Sequence, residues 1–424
     1  MSDAEFVQRS TLPASAAEVF AWHERDGAFE RLAPPWDPPV VVARRGGIEV
    51  GGEVELRLGP LRQRWLARHT EYERGRRFKD VQVEGPFARW EHTHTVEPRG
   101  PGSCELEDRI EYRLPGGALG RIAGGEFVRK KVASVFAYRH RTLREDLEAR
   151  HRRGRKTAMK VAVTGSTGLV GHSLKAMLGA GGDHVVPLVR TTRPGRGEVS
   201  WDPVTGDVNL NHLAGVDAVV HLAGENIAGK RWNARVKERI RESRVLGTAG
   251  IARACAALPR KPEVLVCASA VGFYGDRGDE ELTEESAPGD GFLPEVCQAW
   301  EKAADPAREA GIRVAQLRIG DILSPIGGAL EKMLPPFKLG GGGVIGSGRQ
   351  WMPWITIDDA CGVVQHAMAN RALEGPVNAV APEPATNREF TKALGSVLGR
   401  PTLVPMPGFV ARVAFGEMAK HLLL

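Results

Sequence analysis

The segment that most restricts the fold lies just past the first third of the chain. A short apolar run, Lys160-Val161-Ala162-Val163, leads directly into Thr164-Gly165-Ser166-Thr167-Gly168-Leu169-Val170-Gly171. The run suits a buried parallel strand. Glycines spaced GxxGxxG behind such a strand turn the chain sharply. They also let backbone N–H groups approach a pyrophosphate without interference from a Cβ, and let the next helix pack closely. Leu169, Leu174 and Leu178 give that helix an apolar face. Glycines also mark plain turns, so the motif draws its weight from the strand before it and the helix after it.

A second run, His184 to Val189, ends where a contact to the adenosine ribose is expected, and the residue there is Arg190. A carboxylate would accept the ribose 2′-OH of NAD, whereas a guanidinium favours the 2′-phosphate of NADP. The expected cofactor is therefore NADP(H); the bland alternative is an exposed arginine with no such role. Further apolar runs, Val216 to Leu222, Glu263 to Ser269 and Arg313 to Ile319, alternate with helical stretches. That alternation predicts an α/β domain with a doubly wound parallel sheet of the Rossmann type. The strands' C-terminal ends would line one crevice, adding Leu222, Ala223, Gly224 and Arg318 to Thr164 through Gly171 and Arg190 as cofactor-binding candidates.

The chain has 424 residues, more than one core ordinarily accommodates, and its first part has a different grammar. Val40 to Ala43, Val54 to Leu58 and Arg89 to Val96 are β-like runs separated by Gly and Pro, and Cys104 to Tyr112 is another. Between Phe127 and Leu147, Val128, Val132, Val135, Phe136, Arg139, Leu143 and Leu147 recur at helical spacing. Ser15 is a plausible N-cap for an earlier helix through Val19 and Phe20. The expected division is an α+β domain over 1–152, a basic linker over 153–158 and the dinucleotide domain over 159–424. The run His151-Arg152-Arg153-Gly154-Arg155-Lys156 reads as solvated linker in preference to a binding patch.

No apolar run approaches the roughly 20 residues that cross a bilayer, and Met1 to Phe6 carries no secretion signal. The expectation is a cytoplasmic protein with no membrane partner. A net charge of +6 is compatible with acidic ligands, but the arginines are spread along the chain and no nucleic-acid partner is expected. The five cysteines, Cys104, Cys255, Cys267, Cys297 and Cys361, are odd in number and scattered, which suits reduced thiols. His92 and His94 share a strand face, yet no third ligand stands at a telling distance in sequence, so no metal is expected. Asp358 and Asp359 read as helix capping. Oligomeric state is left open.

Thr164–Gly171, Trp201–Pro203, His221–Ile227, Ser269–Gly275, Trp300–Glu301, Gly327–Leu330 and Gly346–Trp351 together resemble the epimerase-like subgroup of the atypical extended short-chain dehydrogenase/reductases. The resemblance extends over 159–424. The element order of about residues 3 to 150 resembles the helix-grip fold of the SRPBCC, or START-like, superfamily, and the subgroup includes proteins with such a domain in front. The front resemblance implies a hydrophobic ligand. The rear one implies an NADP(H)-dependent oxidoreductase or epimerase acting on a small-molecule substrate. It also implies a further short segment beyond His421–Leu424, at an edge of the substrate lobe.

Typical members of the superfamily place Tyr and Lys four residues apart on one helix. Here the corresponding positions hold Cys297 and Glu301. A carboxylate beside a thiol opposes thiolate formation, and Lys302, about 140° around the helix from Cys297, does not restore the pair. Ser269 stands where relatives have a hydroxyl that hydrogen-bonds a substrate carbonyl, and Tyr274 lies near it in sequence. The catalytic candidates are therefore Ser269, Tyr274, Cys297 and Glu301. Their bland readings are a strand-end cap, loop packing, a small buried apolar residue and a surface carboxylate. Arg349 and Trp351 are substrate-side candidates or parts of a packed lid. The replaced Tyr–Lys pair also fits a second reading, a regulatory or redox-sensing module that binds NADP(H) without turnover; some relatives carry a cell-division label.

Overall fold

Along Ser103–Arg113 every second side chain is buried: Cys104, Leu106, Asp108, Ile110 and Tyr112. That period of two marks a strand with one face in a core. The computed structural model describes residues 3–154 and 157–422. Leu423 and Leu424, at the expected edge of the substrate lobe, lie outside the described residues, as do Arg155 and Lys156 of the basic run. The internal contacts divide the chain into two units, Met1–Lys156 with Ala176–Gly182 and Thr157–Lys175 with Asp183–Leu424. No helix among the described residues is long and apolar enough to cross a membrane.

The described residues 3–154 of the first unit form one antiparallel sheet and three helices. Its elements run β1 (Ala4–Leu12), α1 (Ala16–Glu24), α2 (Ala28–Leu32), β2 (Val40–Arg45), β3 (Glu53–Leu58), β4 (Gln63–Glu73), β5 (Arg77–Glu84), β6 (Arg89–Gly100), β7 (Ser103–Arg113) and α3 (Gly117–Arg152). The strand order is β1-β7-β6-β5-β4-β3-β2. Ser15 does cap α1, its hydroxyl accepting the Glu18 amide at 3.3 Å. On α3 the buried residues Val132, Phe136, His140, Leu143 and Leu147 recur every three or four positions, so one stripe faces the sheet. Phe136 packs with Ile110 and Tyr112, while Leu143 and Leu147 join Leu12, Phe20, Trp22 and Leu106.

The helix begins at Gly117, ahead of the periodic stretch that starts at Phe127. The expected antiparallel sheet also includes β4 and β5, where charged residues interrupt the apolar pattern. These charges pair across neighbouring strands, as in Arg64 with Glu55 at 2.8 Å and Lys79 with Glu91 at 2.7 Å.

The second unit is built on a parallel sheet. Its strands are β8 (Lys160–Thr164), β9 (His184–Val189), β10 (Val199–Ser200), β11 (Ala218–His221), β12 (Val264–Ala270) and β13 (Arg313–Ile319), followed by β14 (Asp321–Leu323), β15 (Trp351–Met352), β16 (Trp354–Thr356), β17 (Gly375–Ala379) and β18 (Ala385–Thr386). The main sheet runs β10-β9-β8-β11-β12-β13-β17, every pairing parallel. Helices α4 (Leu169–Ala180), α5 (Ala234–Ala257), α6 (Phe292–Lys302) and α7 (Asp305–Glu309) fall between the strands. Ile251 and Cys255 of α5 and Ala307 of α7 pack with Ala162, Val219 and Leu265, covering strands whose residues are buried on both faces. Before Ile357–Ala369 the N-cap is Thr356, whose hydroxyl accepts the Asp359 amide at 3.1 Å. Asp358 and Asp359 instead occupy the first turn, where their charge favours the helix dipole.

Truncating Leu143, 1% exposed, to Ala is expected to lower stability by about 2–5 kcal/mol. Truncating Phe127 on the same helix, 71% exposed, should change it by no more than about 0.5 kcal/mol. Urea denaturation of the two variants measures the contrast.

Candidate active site

The parallel sheet changes winding direction between β8 and β11, the strands from which the order runs outward both ways. Ligand crevices of doubly wound sheets form at that place. Gly165 turns the chain there with φ +66°, and a Cβ on it would lie 2.8 Å from the Leu222 carbonyl carbon and 2.9 Å from the Ala223 nitrogen. A Cβ on Gly171 would lie 2.2 Å from the Gly165 oxygen, so only glycine lets α4 start this close to the turn. The Gly168 amide closes the turn on the Gly165 carbonyl at 2.9 Å. Ser166 and Gly171 are buried, Leu169 and Val170 half-buried, and Thr167 and Gly168 exposed. These residues fit a pyrophosphate carried against backbone amides.

Thr164 joins the two strand ends. Its hydroxyl oxygen accepts the Leu222 and Ala223 amides at 3.2 and 3.3 Å, so its own proton is directed at His221 Nδ1, 2.8 Å away. His221 then carries its proton on Nε2. Burial pushes the imidazole pKa down to about 4, and His221 is neutral at ordinary pH. Leu222 and Ala223 are half-buried and Gly224 exposed. Arg190 follows β9 directly and is exposed; no ion pair to it occurs among the described residues.

A second group of side chains gathers on the neighbouring strands. Register aligns Ser269 of β12 with Arg318 of β13, and Arg318 with Asn378 of β17. Glu301 reaches this row from α6. Its carboxylate accepts the Ser269 hydroxyl at 2.7 Å and both arms of the Arg318 fork at 2.9 Å each. Arg318 also donates to the Tyr274 hydroxyl at 2.9 Å and to the Glu284 carbonyl at 3.1 Å. The Tyr274 hydroxyl donates to Asn378 Oδ1 at 2.6 Å. The guanidinium lies 3.5 Å over the Phe273 ring centroid, a stacking that lysine could not reproduce.

Three of the four catalytic candidates, Ser269, Tyr274 and Glu301, thus meet around Arg318, itself a cofactor-binding candidate by its place at a strand end. Cys297 sits on the apolar side, packed with Phe273 and Tyr274. Burial first, and the Glu301 charge second, push its thiol up to about 11. Lys302 is exposed. Asn378 escaped notice because Gly375–Ala379, with a Gly, a Pro and an Asn in five residues, carries little strand signal. Arg349 is exposed, and the Trp351 indole donates to Asp279 at 2.8 Å.

A doubly wound sheet with a glycine turn at its switch point and a serine at the end of a neighbouring strand defines a nicotinamide-nucleotide-binding protein of the short-chain dehydrogenase/reductase type. The family model "NAD dependent epimerase/dehydratase family" matches residues 161–380, and the chain belongs to that family. A second model, "Polyketide cyclase / dehydrase and lipid transport", matches residues 3–148, in keeping with the helix-grip resemblance.

Among curated relatives, the epimerase family protein Mb2239 of Mycobacterium bovis is 42% identical over 264 residues, covering 62% of this chain and 87% of its own length. A crystal structure described as the nucleoside-diphosphate sugar epimerase from Corynebacterium glutamicum is 36% identical, with a TM-score of 0.79, covering 98% of this chain and 90% of that one. The human epimerase family protein SDR39U1, solved with NADPH, is 36% identical with a TM-score of 0.57 over 62% of this chain and 88% of its own.

The His221 pKa carries a pH dependence. Unfolded, the imidazole takes a proton near pH 6.5; folded, it resists until about pH 4. Between these values the unfolded state binds more protons, so stability falls as pH falls, by about 1.4 kcal/mol per pH unit at most and by about 3 kcal/mol in total. His221→Asn keeps an acceptor for Thr164 and removes the titration. Denaturation curves across this window should show a shallower decline for the variant; equal slopes would show that His221 does not contribute.

Proposed function

We propose that the protein is an NADP(H)-dependent oxidoreductase or epimerase acting on a hydroxyl- or carbonyl-bearing small molecule, in the cytoplasm, with a front domain that takes a hydrophobic ligand. The carrying observation is the hydrogen-bonded series Ser269, Glu301, Arg318 at the C-terminal ends of β12 and β13, in the same parallel sheet as the glycine turn. Bound NADP(H) supplies hydride exchange with the substrate carbon. Ser269 directs its proton to Glu301, leaving its lone pairs to accept a substrate hydroxyl. A proton leaving that hydroxyl passes to Ser269 Oγ as the serine proton crosses its 2.7 Å hydrogen bond onto Glu301 Oε1. In the opposite direction the same pair returns a proton to a substrate oxygen.

Arg318 keeps the carboxylate oriented through two parallel bonds, the geometry that makes such pairs specific. Gly165 to Gly171 would hold the pyrophosphate and Arg190 the 2′-phosphate. The NADPH with which human SDR39U1 was solved and the uncommitted guanidinium of Arg190 support the phosphorylated cofactor. Nucleoside-diphosphate sugars, for which the Corynebacterium glutamicum epimerase is named, are the first substrates to assay.

Arg190→Ala should weaken NADPH roughly 10- to 100-fold, the worth of a lost charge-assisted bond, and leave NADH unchanged in titration calorimetry. Equal weakening of both nucleotides would remove its assigned role. With an active substrate from a carbonyl and sugar-nucleotide panel, Ser269→Ala and Glu301→Gln should each lower kcat by about 10²- to 10⁴-fold while NADPH binding holds. Wild-type protein that binds NADPH yet turns over nothing in the panel would favour the regulatory reading.

A further inference from the structure

The inner face of the first unit's sheet carries a polar group that the nucleotide chemistry does not use. Register places Asp80 of β5 opposite His92 of β6, and His94 of β6 opposite Asp108 of β7. Pairing across two hairpins thus supplies the carboxylates that sequence distance concealed, correcting the expectation that the histidines lack further ligands. His92 and His94 are 4% and 7% exposed, and Asp108 is 2% exposed. Donor atoms of Asp80, His92 and His94 all lie within 4.8 Å of one another.

We propose that Asp80, His92 and His94 form a binding site for a divalent first-row transition-metal ion of the zinc and cobalt kind. His92 Nδ1 and Asp80 Oδ1 stand 3.3 Å apart. Two donors bound about 2.1 Å from one tetrahedral ion are separated by roughly 3.4 Å, so this edge of the site is already formed. The opposite nitrogen, His92 Nε2, donates to Asp108 Oδ1 at 3.2 Å. A metal-bound imidazole characteristically gives its second N–H to a carboxylate in this way, which fixes the ring and its tautomer.

Asp108 is held in turn by His140 Nε2 at 2.7 Å from its other oxygen. His94 Nδ1, buried, lies 2.5 Å from Asp108 Oδ1, so this one carboxylate braces both imidazoles of the group. Two imidazoles and one carboxylate, with no thiolate, suit zinc, cobalt or ferrous iron better than magnesium or calcium, which favour oxygen alone. Three protein donors leave a coordination position for water or a ligand oxygen.

The test uses the full chain, stripped with a chelator and titrated with Co(II) while its visible absorption is recorded, followed by displacement with Zn(II). Uptake of about one equivalent per chain with ligand-field bands is expected. His92→Gln and His94→Gln should each weaken it more than about 100-fold, beyond what loss of an outer hydrogen-bond partner costs. His184→Gln, at an exposed histidine of the other unit, should bind like wild type. No uptake by wild type, or wild-type uptake by both His92→Gln and His94→Gln, overturns the proposal. If those variants do not fold, X-ray absorption of cobalt-loaded wild type decides. A shell of two imidazoles with oxygen supports the site, and a shell without imidazole or with sulfur rejects it.

Discussion

Between the ends of β8 and β11 no space remains for a side chain, and the architecture of the second unit follows from that closeness. The Gly165 backbone lies against the Leu222–Ala223 peptide, and the Thr164 hydroxyl takes both amides beyond β11. Any larger residue in the turn would separate the strands or push α4 away from the sheet. Once the strands are joined here, parallel register carries the alignment outward to Ser269, Arg318 and Asn378 on β12, β13 and β17. Nucleotide cradle and polar row are therefore set by one arrangement of backbone.

The polar row carries a buried positive charge although the lysine usual in the superfamily is absent. A lysine four residues after a tyrosine works in relatives because both lie on one helical face. Here the helix presents Cys297 and Glu301, and the positive charge comes from Arg318 on a strand. Stacked on Phe273 and bonded to Glu301, Tyr274 and Glu284, the guanidinium has little freedom. Removing either member of a buried pair like this leaves the other uncompensated, at a cost of about 3–5 kcal/mol. Arg318 and Glu301 thus hold the polar row together, whatever part each takes in the proposed chemistry.

What the sequence disclosed follows contact order. Gly165, Gly168 and Gly171 act within one turn, and the strands around them are uninterrupted apolar runs, so both were legible. Ser15 was legible as a cap because its partner, Glu18, is three residues away. The pairing of Arg318 with Glu301 spans 17 residues and exists only because α6 returns over β12 and β13, which no local pattern encodes. The antiparallel character of the first unit was legible from its short runs, but the bounds of β4 and β5 were not, since their outward-facing charges find partners only on neighbouring strands.

The same limit concealed the carboxylates around His92 and His94. Asp80 and Asp108 arrive from the preceding and following strands, and His140 from a helix beyond them both. Burial of such a set is unfavourable for stability, because desolvation of each charge opposes the mutual attraction, and apolar residues of similar volume would commonly hold the fold as well or better. The neighbouring positions on the same face, Val96, Leu106 and Ile110, are apolar and fully buried, so the core itself does not require polarity. The cluster's presence amid that apolar surface is thus better accounted for by something it binds than by the packing of the sheet against α3.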